Sequence, residues 1–254
     1  MRNLLSAHFA RLWKSRLFWM CAVISLAYGS FSLYSWYQHS QILFDMGLSP
    51  ELELMLELSH NFPLYIGILL AVFISLFLSA EYSGATIRNK LVIGHSRASV
   101  YLSSLISMAA VAYLCCAAYL LPMLIGGALH LHIDASDLFT LSGILALCAA
   151  YCAIFTGVSM NLDQKSAAPV SCLLGTFVLI YASQGMRSQL HADGPMHSVY
   201  RLFSDVLPFG QALRYTDVTT LTVAQILPMS LYSCAVTVLV TIVGLLLFRC
   251  KNIK

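Results

Sequence analysis

Charge is what this chain has little of. Only 10% of its 254 residues are Asp, Glu, Lys or Arg, against 59% hydrophobic, too little polar surface to coat a water-soluble globule of that length. The composition predicts an all-α polytopic membrane protein. A formal charge of +3 is too small to point to nucleic acid, so where the charges sit matters more than their sum. Cysteine spacing excludes a second class. Cys21, Cys115, Cys116, Cys148, Cys152, Cys172, Cys234 and Cys250 show no C-x-x-C pair, and all lie in apolar runs or, for Cys250, beside the basic tail. That argues against a disulfide framework and a zinc site.

Catalytic signatures are missing as well. No Asp, Glu, Lys or Arg falls inside any predicted span, whereas proton relays and ion pathways place such groups there at a cost of several kcal/mol. The nearest approach to a serine motif, Gly157-Val158-Ser159-Met160, sits at the inner end of its span with no intramembrane histidine to activate the hydroxyl. No G-x-x-x-x-G-K-S/T loop exists: Gly84 to Lys90 ends Asn-Lys and lacks the second glycine. The chain is therefore expected to be non-enzymatic and unable to hydrolyse ATP alone.

What is present is six apolar runs, at about 17–37, 62–80, 98–129, 138–160, 168–182 and 225–248, read as spans of one membrane domain over 1–254. Ahead of them, residues 2 to 16 predict an interfacial amphipathic helix, with Leu5, Phe9, Leu12 and Trp13 on one face and Asn3, Ser6, Arg11 and Lys14 on the other. Small residues at Ala27-Tyr28-Gly29 fit signal cleavage, but the apolar run continues through Phe31, Leu33, Tyr34 and Trp36, which favours a span. Residues 38 to 61 carry Asp45, Glu51, Glu53 and Glu57 and no Lys or Arg, with a helix start at Ser49-Pro50. Pro122 and Gly126-Gly127 predict a kink in the third span. His130, His132 and Asp134 lie in a turn where a metal is conceivable but too few ligands are gathered to assign one. Ala146, Ala149, Ala150, Ala153 and Gly157 form a small-residue packing stripe. The fifth span, marginal in length, is expected to end early and run into a structured loop. There Met196, Val199, Tyr200, Phe203, Val206 and Leu207 fall at helical spacing, opposite His197, Arg201, Ser204 and Asp205. Pro208 is read as the stop of that helix, and a second short piece is expected near Thr219.

Charge orients these spans. Placing both termini in the cytoplasm puts Arg2, Arg11, Lys14, Arg16, Arg88, Lys90, Arg97, Lys165, Arg249, Lys251 and Lys254 inside, and only Arg187, Arg201 and Arg214 outside. Of the acidic residues, only Glu81 and Asp163 fall inside.

One basic island stands out, Glu81-Tyr82-Ser83-Gly84-Ala85-Thr86-Ile87-Arg88-Asn89-Lys90-Leu91-Val92-Ile93-Gly94-His95-Ser96-Arg97. It is too short for a soluble domain, so Arg88, Lys90 and Arg97 are expected at the membrane surface, available to a partner. The pattern Glu-x-x-x-Gly-x-x-Thr/Ile-Arg-x-Lys-Leu, followed by Ser-Arg and a new span, resembles the first cytoplasmic loop of ABC transporter permeases of the type-2 exporter class. Gly94 and Ser96 also fill matching places.

The resemblance implies a coupling helix resting on a separate ATPase subunit, carried by Glu81, Tyr82, Gly84, Thr86, Ile87, Arg88, Asn89, Lys90 and Arg97. It implies two ATPase copies that hold ATP and Mg, a second permease copy as homodimer or related heterodimer, and a bacterial cytoplasmic-membrane location. It further implies an outer gate between the fifth and sixth spans, here Val199, Tyr200 and Phe203. Small outer loops look most like permeases that expel peptides such as lantibiotics or phenol-soluble modulins. Uncharged side chains Ser25, Tyr28, Ser32 and Ser35 on the first span, and Ser171, Gly175, Thr176 and Ser183 on the fifth, fit either a pathway for amphipathic cargo or helix packing. A non-transporting scaffold or sensor would use the same basic loop to hold a cytoplasmic partner.

Overall fold

The computed structural model describes residues 2–45, 52–53, 62–126, 131–132, 135–162, 167–190, 197–217 and 223–251. Among them are ten helices: α1 (Arg2–Lys14), α2 (Arg16–Asp45), α3 (Phe62–Ser83), α4 (Thr86–Val92), α5 (Arg97–Gly126), α6 (Ala135–Asn161), α7 (Ala167–Leu190), α8 (His197–Val206), α9 (Pro208–Asp217) and α10 (Val223–Cys250). A two-residue parallel pairing of β1 (Leu52–Glu53) with β2 (Leu131–His132) ties the α2–α3 connection to the α5–α6 connection. Six helices are long and apolar enough to cross a membrane: Arg16–Ile42, Phe62–Ser83, Arg97–Gly126, Leu138–Asn161, Ala167–Met186 and Ala224–Cys250. At 1.5 Å per residue each is long enough to span a hydrocarbon core of about 30 Å.

Burial sorts these helices into a centre and a rim. In the most apolar window of α3 61% of residues are buried, and in that of α6 56%, against 22% for α2 and 17% for α10. Phe62, Ile66, Leu70, Phe73 and Ile74 of α3 pack with Ile144, Leu147, Tyr151 and Phe155 of α6 and Met108, Val111 and Tyr119 of α5. Backbone approach depends on glycine at two seams. A Cβ on Gly29 would stand 2.2 Å from the Tyr119 carbonyl oxygen, so α2 meets α5 there without a side chain between them. A Cβ on Gly244 of α10 would stand 2.3 Å from the Tyr101 hydroxyl and 3.4 Å from Cα of Gly157, which joins α5, α6 and α10 at one point. Ala150 and Ala153 of the small-residue stripe are fully buried, consistent with packing.

Three expectations need correction. The fifth span does not end early: α7 runs unbroken through Ser183, Gln184 and Gly185 to Leu190, because polar residues and one glycine lower helix propensity without breaking the backbone ladder. Pro208 does not only end a helix. It is the first residue of α9, where its missing N–H is one of the unsatisfied donors anyway. The interfacial face of α1 also differs. Leu4, His8 and Leu12, spaced four apart, face the protein, whereas Phe9 and Trp13 face outward at 39% and 63% exposure. The expected helix at Ser49-Pro50, the His130 and Asp134 turn, Asp163 and Lys165, and the start near Thr219 lie outside the described residues.

Candidate functional site

The basic island folds as a compact hairpin. Gly84 N–H donates to the Ala80 carbonyl at 3.0 Å and Ala85 N–H to the Tyr82 carbonyl at 3.1 Å, closing α3. Ala85 itself takes a left-handed conformation at φ 52°, and the chain re-enters a helix at Thr86. A second reversal at Gly94, φ 99°, is one that L side chains rarely adopt. Ser96 then caps α5, its hydroxyl accepting from the Ser99 N–H at 3.2 Å.

The hairpin is anchored by a buried polar cluster drawn from three helices. The Lys90 ammonium of α4 donates to Glu81 Oε2 of α3 at 3.1 Å and to His8 Nε2 of α1 at 2.8 Å. Because the ammonium can only donate, His8 Nε2 is the acceptor and Nδ1 carries the proton. Nδ1 faces Glu81 Oε1 at 3.6 Å, beyond hydrogen-bond reach, so that contact is electrostatic. Arg11, half exposed, reaches Glu81 Oε1 from the rim at 3.4 Å. Burial holds His8 down at about 4, below its ordinary 6.5. The Glu81 carboxylate opposes that shift, and the charges of Lys90 and Arg11 reinforce it. Burial also lowers Lys90, with Glu81 again opposing. The histidine is thus a neutral spacer between an ammonium and a carboxylate in a low-dielectric pocket.

This placement corrects the expectation that Lys90 lies free at the surface. It is buried at 8% exposure, as is Glu81 at 6%, because α1 lies across the pair and removes it from water. Arg97 is also engaged. Its guanidinium donates to the Phe248, Arg249 and Lys251 carbonyls at 3.3, 2.7 and 2.5 Å, capping the last turn of α10. Lys251 in turn donates to the Met160 and Leu162 carbonyls at 3.1 and 3.0 Å, capping α6, and stands over the Tyr82 ring. Tyr82 donates its hydroxyl to Met160.

The ends of α3, α5, α6 and α10 are therefore tied to one another beside α4. What the hairpin presents outward is Arg88, Asn89, Val92 and Ile93, the last two each 77% exposed, while Ile87 beneath them is buried. A cleft of about 460 Å³ between α4 and the start of α5 is lined by Arg88, Leu91, Val92, His95, Ser96 and Arg97.

The other predicted residues divide by burial. Ser25 is fully buried and Tyr28 stacks on Tyr65 at 4.1 Å between ring centres, while Ser32 accepts from the Tyr119 hydroxyl at 3.4 Å. Thr176 bonds back to the Cys172 carbonyl of its own helix, whereas Ser171 is exposed on the rim. In α8, Val199 and Phe203 point outward at 44% and 52% exposure with Tyr200 half-buried, while Ser204 packs inward. Arg201 and Leu202 are exposed beside them, while Val206 and Leu207 are half-buried.

His8 is the residue that sequence reasoning missed. The available signal was its position in a Leu4–His8–Leu12 row at helical spacing, masked by the stronger Phe9 and Trp13 stripe. No family model matches the chain, and no curated protein matches it.

Proposed function

We propose that this chain is the permease subunit of an ABC exporter, docking a separate cytoplasmic ATPase through the α4 hairpin. The observation that carries the reading is a seven-residue helix clamped to α3 by a buried ion pair and to α1 by a hydrogen bond to His8, yet bare on the side bearing Arg88, Val92 and Ile93. A surface helix so anchored moves the spans when it is pushed, which is the requirement for coupling a remote engine to alternating access. Positive-inside charge supports placing this end, and both termini, in the cytoplasm. On this reading the chain is non-catalytic, ATP and Mg belong to the partner, and two permease copies pair in a bacterial cytoplasmic membrane. The cargo is an amphipathic molecule, with a peptide favoured on family resemblance alone.

The test is co-purification. A nucleotide-hydrolysing protein with a phosphate-binding loop is expected to come down with the tagged chain from its native membrane. An R88E and Val92→Asp double variant is expected to lower that recovery at least about tenfold, a loss of roughly 1.4 kcal/mol or more in binding. Recovery of no such protein, or maleimide labelling of Ile93→Cys from outside intact cells, overturns the proposal.

A further inference from the structure

We propose that the cleft between α4 and the start of α5 receives an acidic side chain of the docked ATPase, an inference that rests on the reading of α4 as its docking helix. The cleft, of about 460 Å³, is lined by Arg88 of α4, by Arg97 of α5 and by His95 and Ser96 on the turn between them. Two guanidiniums thus share one cavity, and among the described residues no carboxylate lines it. Glu81, the acidic residue nearest in the chain, is buried and already paired with Lys90 and Arg11. Like charges in one cleft repel, and an anion entering it relieves that repulsion.

The two guanidiniums have different parts. Nη1 of Arg97 is spent on three carbonyls at the end of α10, so that side chain supplies charge from a fixed position. Arg88 is exposed, and no group among the described residues holds its guanidinium. Its planar fork is the one left to grip both oxygens of a carboxylate, a match of shape as well as charge.

Apolar neighbours decide what carries the acid. Val92, which lines the cleft, and Ile93 beside it are each 77% exposed, while Ile87 and Lys90 on the other side of α4 are buried. A phospholipid headgroup or free phosphate would satisfy Arg88 and leave two branched aliphatic side chains in a polar layer. A protein surface covers them and supplies the acid from the same patch, as interfaces do that surround an apolar contact with complementary charge.

Zero-length cross-linking tests the assignment. The tagged Arg88→Lys chain, which keeps the charge and puts an amine at position 88, is purified from its native membrane and treated with a water-soluble carbodiimide. That reagent joins an amine to a carboxylate only where the two already touch. Peptide mass spectrometry is expected to find position 88 joined to an Asp or Glu of the nucleotide-hydrolysing partner. Changing that partner residue to Arg is expected to lower its recovery with the unaltered chain about tenfold, and Arg88→Glu to restore at least about half of it. An ATPase that co-purifies yet is never joined at position 88 overturns this inference and leaves the docking reading standing. So does joining at position 88 to the carboxylate of phosphatidylserine alone. Recovery of no ATPase overturns both.

Discussion

The two ends of the bundle are held together by different means. At the basic end the fastening groups come from far apart in the chain: Lys90 to His8 across 82 positions, Lys251 to Met160 across 91 and Arg97 to Lys251 across 154. At the opposite end most are nearer neighbours: Arg214 pairs with Asp205 nine positions away, Gln211 donates to the Asp205 carbonyl six away, Ser233 donates to Gln211 across 22, and the longest reach is Tyr151 to the Pro208 carbonyl across 57. In the first set Lys90 donates to a neutral histidine beside the buried Glu81 and two further cations donate to backbone carbonyls, and together with Glu81 they join α1, α3, α4, α5, α6 and α10. The second staples α8, α9 and the start of α10 into a local unit. A displacement of α4 therefore pulls on the whole basic end, whereas α8 is stapled locally to α9, whose Phe209, Ala212 and Tyr215 are buried in the core and whose Pro208 carbonyl accepts from the Tyr151 hydroxyl of α6.

The largest test of that contrast is Lys90→Met, which leaves the buried Glu81 carboxylate with Arg11 alone, 3.4 Å away at the rim. It is expected to cost about 3 kcal/mol in thermal unfolding of the detergent-solubilised chain, since a buried charge that loses its buried partner keeps most of its desolvation penalty. The Glu81→Met, Lys90→Met double variant is expected to recover most of that loss. Recovery failing to appear would mean that the pair, rather than the burial of an unpaired charge, carries the stability.

Acidification comes next. The folded-state value of His8, about 4, lies below its ordinary 6.5, so between those limits the unfolded chain binds more protons. Stability then rises with pH through the window and is lost as pH falls from 6.5 toward 4, by on the order of 2–3 kcal/mol. His8→Gln is expected to flatten that part of the profile. Unfolding curves at pH 7, 5.5 and 4.5 for both chains measure the difference.

At the opposite end the effects are smaller. Gln211→Leu leaves the buried Ser233 hydroxyl and the Asp205 carbonyl without Gln211 and is expected to cost about 1–3 kcal/mol, and Ser233→Ala about 1 kcal/mol, both by thermal unfolding. Smallest of all, Arg88→Glu is expected to leave the unfolding temperature unchanged, because its side chain is exposed. Its effect belongs to partner recovery.

Much of this was legible in the chain. Six apolar runs became six helices of spanning length, since a span needs only enough apolar residues to bury its own backbone hydrogen bonds in hydrocarbon. The hairpin between the second and third was legible from Gly84 and Gly94 and from the basic residues between apolar runs. Less legible was α9, because a proline that stops one helix also suits the first turn of the next. The face of α8 was visible as a periodicity, but periodicity does not say whether the apolar side meets the protein or the lipid.

The sequence by itself determined the number of helices long and apolar enough to cross a membrane, the helical class and the clustering of positive charge, all properties of local composition along one strand of chain. Only the tertiary structure decided which of those charges face outward. Lys90 and Arg97 look alike with Arg88 when read in a line. The packing of α1 across Glu81, and of the α10 terminus against α5, buries or engages the first two and leaves Arg88 exposed. Lys90 does pair with Glu81 nine positions away, but what covers that pair and what engages Arg97 lie 82 and 154 positions away, a distance over which no local pattern carries information.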